Sequence, residues 1–187
     1  MKNKIIIGIA GEIASGKGVV TQHLQDKYDA KKYRMSDALK DILTRLHLDV
    51  VRENLSSLSL GLRNLYGQDI LIDALIQDIK KSESEFVIVD GVRRIAELEQ
   101  LKKLDNFKLF YLEADPKIRY ERLKKRDEKE DDKLKTFEQF QKDSQLETEK
   151  TILELKDSTD YLIDNGGDLD QTYRRIDEII EEIKKNG

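Results

Sequence analysis

The stretch Gly11-Glu12-Ile13-Ala14-Ser15-Gly16-Lys17 follows the apolar run from Ile5 to Ala10 and opens a helical pattern through Val19, Val20 and Leu24. A G-x-x-x-x-G-K spacing between a strand and a helix leaves a chain few alternatives. Successive backbone N–H groups form an anion cradle, the helix N-terminus adds its positive dipole, and Lys17 reaches toward the outer phosphates. Glycines at 11 and 16 permit backbone turns that a side chain would obstruct. The pattern predicts a nucleotide-phosphate site formed by Gly11, Glu12, Ile13, Ala14, Ser15, Gly16, Lys17, Gly18 and Val19. Gly18 and Val19 stand where a Ser or Thr usually follows the Lys, so Mg²⁺ has to be held by other oxygen donors.

Further strand-like runs lie at 31–35, 86–90, 107–113 and 161–163, with helical patterns between them. Strands alternating with helices predict an α/β fold, a five-stranded parallel sheet covered by helices on both faces. At 187 residues the chain is expected to form a single domain spanning 1–187. Charged residues make up 39% and apolar ones 38%, and the apolar ones recur periodically, which separates this chain from a disordered one. The formal net charge of -4 argues against a nucleic-acid or anionic-membrane binder, so any phosphate site must be local.

The chain has no cysteine, which excludes disulfides and thiolate metal sites and suits a reducing compartment. The basic start and apolar run at 5–10 superficially mimic a signal peptide, but the run is short and ends at Gly11-Glu12. It reads as a buried strand. No segment approaches the ~20 apolar residues of a membrane span, and a cytoplasmic protein without an obligatory protein partner is expected.

Other constellations carry chemistry. Phe86 to Asp90 is an apolar strand ending in a carboxylate, and such a strand delivers its last residue to the ligand crevice, where Asp90 can bind Mg²⁺ through water. Arg93 or Arg94, just beyond, suits phosphate recognition. Ser36 or Asp37 reads as a helix N-cap, and Asp37 also falls where a metal-orienting group or general base is needed. Asp115 before Pro116, Thr136 and Asp168 read as caps of later helices. Arg119, Arg122 and Arg126 share one helical face, readable as a solvated face or as phosphate contacts, with Arg122 and Arg126 running into a charge-dense stretch. That stretch, about 126–143, is a lid or a solvated loop, and about 36–84 holds three helices that form a candidate acceptor-binding segment.

Taken together, Gly-x-x-x-Ser-Gly-Lys-Gly, Ser36-Asp37-x-Leu39-Lys40 and Val89-Asp90-Gly91-Val92-Arg93-Arg94 resemble the P-loop nucleoside monophosphate kinases, adenylate kinase among them. Lys40 stands where an Arg is usual, and the proline of the third segment is absent. Over nearly the whole length the chain resembles an archaeal-type family of uncharacterised nucleotide kinases related to dephospho-CoA kinase. That pattern is echoed in Leu62 to Asp69, Arg119 to Leu123 and Asp160 to Gly167. The resemblance implies a P-loop three-layer sandwich with a mobile acceptor-binding segment and a lid, and it brings Asn165 near the adenine.

The expectation is an ATP-dependent phosphotransferase using ATP and Mg²⁺. Lys17, Asp37, Arg122 and Arg126 are its candidate catalytic residues. Asp37 and Asp90 are candidates for holding the metal through water, and Lys40, Arg63, Arg93 and Arg94 for binding the acceptor. A phosphate acceptor needs cations, whereas a ribose hydroxyl such as that of dephospho-CoA needs a base. Both sets are present, with a nucleoside monophosphate slightly favoured; a nucleotide-binding switch without a small-molecule acceptor is the alternative from another class.

Overall fold

A computed structural model describes residues 4–125 and 135–186. Five parallel strands form one sheet: β1 (Ile5–Ala10), β2 (Lys31–Tyr33), β3 (Phe86–Asp90), β4 (Phe107–Glu113) and β5 (Tyr161–Asp164), in the order β2-β3-β1-β4-β5. The helices between them are α1 (Lys17–Tyr28), α2 (Met35–Arg45), α3 (Arg52–Tyr66), α4 (Ile70–Lys81), α5 (Ile95–Leu101), α6 (Pro116–Lys125), α7 (Phe137–Asp143), α8 (Glu147–Glu154) and α9 (Leu169–Asn186). A short 3₁₀ turn, Leu155–Ser158, leads into β5. Among the described residues no helix is long and apolar enough to cross a membrane.

Because successive side chains of a strand point to opposite faces, the near-continuous apolar runs of β1, β3 and β4 feed two cores at once. Ile6, Val87, Val89, Leu109 and Tyr111 face α4, α5 and α8. Ile5, Ile7, Ile9, Ile88, Phe110 and Leu112 face α1 and α9. On the last helix Ile176, Ile179, Ile180 and Ile183 pack into this second core, while Leu169 stays exposed at the helix start. The layers bring the carboxyl ends of β1, β2 and β3 to one crest, where all the chemistry-bearing segments emerge.

Strands β3 and β4 have the limits expected from sequence, and 36–84 holds three helices, α2 to α4. The second strand is shorter than expected. It stops at Tyr33, and α2 begins at Met35, so neither Ser36 nor Asp37 is the N-cap. Arg34 is. Its backbone N–H donates to Asp37 Oδ2 at 2.8 Å, and its carbonyl accepts from the Asp37 N–H at 3.0 Å, so the carboxylate three residues on closes the turn. The other expected caps form: Asp115 Oδ1 accepts from Lys117 N–H, Thr136 Oγ1 from Gln139 N–H and Asp168 Oδ1 from Asp170 N–H.

One polar clamp ties α1 to α9. Asp177 accepts from Tyr28 Oη at 2.7 Å and Lys27 Nζ at 2.8 Å and lies 2.9 Å from His23 Nε2. The His23 ring stacks on Tyr173 at 4.3 Å. Burial works to raise the Asp177 pKa, but the three side-chain hydrogen bonds outweigh it and hold the carboxyl below its ordinary 3.8. A depressed folded pKa stabilises the fold above the unfolded value, and that stability is lost as pH falls through the folded one. Asp177→Asn is therefore expected to cost about 1–2 kcal/mol in urea denaturation at pH 7. The gap to wild type should hold above the ordinary value of 3.8 and close below it.

Candidate active site

The chain leaves β1 at Ala10 and turns at once into a loop whose backbone is confined on every side. Gly11 has φ +143°, and a Cβ there would lie 2.3 Å from the Leu112 carbonyl oxygen. Gly16 has φ +99°, and a Cβ there would lie 1.9 Å from Asn165 Nδ2. Both positions admit only glycine. Ala14 also sits at positive φ, 60°, a left-handed conformation that costs free energy outside glycine and turns the loop into α1. Lys17 curls back over the loop, its Nζ donating to the carbonyls of Gly11 at 2.6 Å and Glu12 at 2.9 Å. The ammonium thus waits beside the N-terminus of α1, where a phosphate would meet it.

Two buried side chains hold this loop. Asn165, fully buried just after β5, donates from Nδ2 to the Ser15 carbonyl at 2.8 Å and accepts from Thr172 Oγ1 at 3.0 Å. Both ends of its amide are engaged beneath the loop, which ties Ser15 to the start of α9. Arg119 on α6, only 3% exposed, is the second. Its guanidinium pairs with Glu12 Oε1 at 2.9 Å, donates to the carbonyls of Ala114 at 3.1 Å and Ile13 at 3.4 Å, and lies over the Phe140 ring. A carboxylate inside an anion cradle would repel phosphate; Arg119 neutralises it.

Of the other two arginines in that series, Arg122 carries a buried guanidinium nitrogen with no hydrogen-bond partner among the described residues. Arg126 and the charge-dense core of the expected lid lie outside the described residues. What flanks that segment is firmly packed: Tyr120 donates to the Lys135 carbonyl and meets Phe137 and Phe140 edge-on or tilted.

At the ends of β2 and β3 stand the two carboxylates expected to orient a metal. Asp90 pairs with Arg34, whose Nε donates to Oδ2 at 2.7 Å and whose second nitrogen contacts the same oxygen. Asp37 pairs with Lys40 at 3.0 Å and closes the turn of α2. Hard carboxylate oxygens suit Mg²⁺, which keeps several waters and takes one or two protein carboxylates alongside substrate phosphates. Among the described residues no group of three or more His, Cys, Asp or Glu side chains is placed to hold a metal ion. Asp90 fits best, since β3 pairs with β1 up to Ile9 and Asp90, beside the strand that feeds the loop.

Beside these carboxylates, Met35, Arg63, Gln68, Asp69, Ile72, Arg94, Ala96 and Glu97 line a small open cleft of about 50 Å³. Arg63 is steadied by the Gln68 carbonyl at 2.7 Å, and Arg94 lies 4.0 Å from the buried Glu97. Arg93 is exposed and does not line the cleft; its backbone N–H donates to Glu97. Lys40 does not line it either.

With this geometry in place, the relatives can be weighed. Residues 7–150 match the family described as AAA domain. A UPF0200 protein of Sulfurisphaera tokodaii is 32% identical over 95% of this chain and 97% of its own length. One from Staphylothermus marinus is 30% identical over 97% and 94%. The chain belongs to the UPF0200 family of AAA-domain proteins. In fold it is similar to a shikimate kinase from Bacteroides thetaiotaomicron, with a TM-score of 0.61, 13% identity and coverage of 95% of this chain and 98% of that one. A gluconokinase from Sinorhizobium meliloti gives 0.60 and 16%, covering 100% and 97%. Its architecture is thus that of the P-loop kinases, matching the sequence-based resemblance at the level of superfamily and fold.

Two members of the site escape sequence reading. Arg34 meets Asp90 across 56 residues, and Arg119 is a buried partner of the loop rather than an exposed phosphate ligand. A signal for the second existed: Glu12, an acid in a phosphate cradle, requires a cation. Arg119→Met leaves Glu12 without its counter-charge in a site where it is mostly shielded, and is expected to cost about 3–5 kcal/mol. Adding Glu12→Gln should recover a substantial part, read from urea midpoints in a double-mutant cycle.

Proposed function

We propose that this protein is an ATP-dependent phosphotransferase acting on a small nucleotide, with a nucleoside monophosphate as acceptor. The observation that carries this reading is the pairing of two phosphate-suited places on one crest: the loop at the end of β1, and the cleft with Arg63 and Arg94 beyond β2 and β3. A module that only bound nucleotide would need the first and not the second. The folds of its structural neighbours, a shikimate kinase and a gluconokinase, support the same reaction class.

In this reading the loop amides and Lys17 hold and neutralise the outer phosphates of ATP, and Arg122 supplies a further donor where charge spreads during transfer. Arg119 and Asn165 fix the loop so that little reorganisation accompanies the reaction. Mg²⁺, held through water by Asp90 and Asp37, would supply charge neutralisation between the phosphates. Arg94 and Arg63 orient the acceptor's anionic group for in-line attack.

Asp37 bears on the choice of acceptor. A hydroxyl acceptor needs a free base, but the Asp37 carboxylate is taken by Lys40 and by the turn of α2. A phosphate acceptor brings its own nucleophilic oxygen and needs cations, which supports the nucleoside monophosphate. The test is a panel of nucleoside monophosphates and dephospho-CoA in a coupled ADP-release assay with MgATP. At least one monophosphate should give turnover well above the ATP-only rate, and Lys17→Ala should lower it by roughly 10²-fold or more. Turnover with dephospho-CoA alone would replace the acceptor assignment, and no stimulation by any acceptor would remove the kinase reading.

A further inference from the structure

Arg34 directly precedes Met35, which lines the cleft with Arg63 and Arg94, and its guanidinium closes on Oδ2 of Asp90, the carboxylate expected to serve the metal. The two partners differ in freedom. The Asp90 side chain is 12% exposed and that of Arg34 44%. The Arg34 backbone is pinned to Asp37, so exchange requires only that a long side chain rotate.

Resting on the phosphotransferase reading, we propose that Arg34 is an additional acceptor-anion residue that occupies Asp90 until an anion in the cleft draws it away, so that acceptor and metal bind with positive coupling. A phosphate dianion offers the planar guanidinium two coplanar oxygens and more charge than the single carboxylate oxygen it now holds. A half-exposed ion pair on a flexible side chain is weak enough to give way to that competitor. Once Arg34 leaves, Asp90 is a little-exposed carboxylate without a counter-charge, and a hydrated divalent cation beside the ATP phosphates restores one. While Arg34 stays, the same cation meets a like charge and an occupied oxygen. Coupling of this kind is reciprocal: metal on Asp90 releases Arg34 to the acceptor. It would disfavour assembly of the metal site before an acceptor is present to receive the phosphoryl group.

The test measures binding, not turnover. The affinity for AMPPNP, a non-hydrolysable ATP analogue, is determined by titration calorimetry with Mg²⁺ and with EDTA, each in the presence and absence of inorganic phosphate as the acceptor-site anion. The ratio of the two affinities gives the metal's contribution, and competition of phosphate for the loop cancels in it. In the wild type, phosphate should raise that ratio about fivefold or more. In Arg34→Gln the ratio should already be high without phosphate and should not respond to it, Arg34→Lys should fall between, and Asp90→Asn should give a low ratio under both conditions. Ratios in Arg34→Gln equal to those of the wild type, or a wild type indifferent to phosphate, overturn the assignment of Arg34 alone. Failure of AMPPNP to bind the wild type overturns the phosphotransferase reading as well.

Discussion

The phosphate loop is held in an unfavourable backbone conformation by two buried polar groups that arrive from distant parts of the chain. Asn165 grips Ser15 from below, and Arg119 grips Glu12 and Ile13 from the side. Positive φ angles at Gly11, Ala14 and Gly16 would not persist in an isolated peptide. They persist here because β1, β4 and β5 deliver the anchors: Asn165 follows β5 and is tied to Glu113 at the end of β4, and Arg119 lies in the first turn of α6, the helix that follows β4. The sheet therefore does more than bury apolar surface. Its register decides where the loop amides point.

The same crest separates charge with some care. Three acidic groups beside the phosphate-suited region have an assigned cation: Glu12 has Arg119, Asp90 has Arg34 and Asp37 has Lys40. A chain carrying a formal charge of -4 can still present a site attractive to phosphate because these acids are neutralised in place, while Arg63 and Arg94 line a cleft of their own. Local pairing, not bulk charge, makes anion binding possible here.

How much of this could be read from the residues depends on the range of the interaction. The loop, β3, β4 and the caps at Asp115, Thr136 and Asp168 are local patterns, set by spacing and turn chemistry within a few residues, and they emerge as expected. The start of α2 was misread because a carboxylate at Asp37 looks like a cap in its own right, while in the fold it reaches back to Arg34. The Arg34 to Asp90 pair and the burial of Arg119 depend on which strands lie side by side, which no local pattern encodes. Asn165, which the resemblance brings near the adenine, also hydrogen-bonds the Ser15 carbonyl beneath the loop, a contact visible only once β5 is set beside β4.

The central claim is that the amides from Gly11 to Gly18 grip a triphosphate. Hydrogen exchange followed by mass spectrometry, with and without AMPPNP and Mg²⁺, tests it directly, since amides that bond to phosphate oxygens exchange more slowly. The account predicts that nucleotide slows exchange most strongly in the peptide spanning residues 11–19, with a lesser effect near Arg122. Unchanged exchange across 11–19, with slowing confined to another part of the chain, would contradict it.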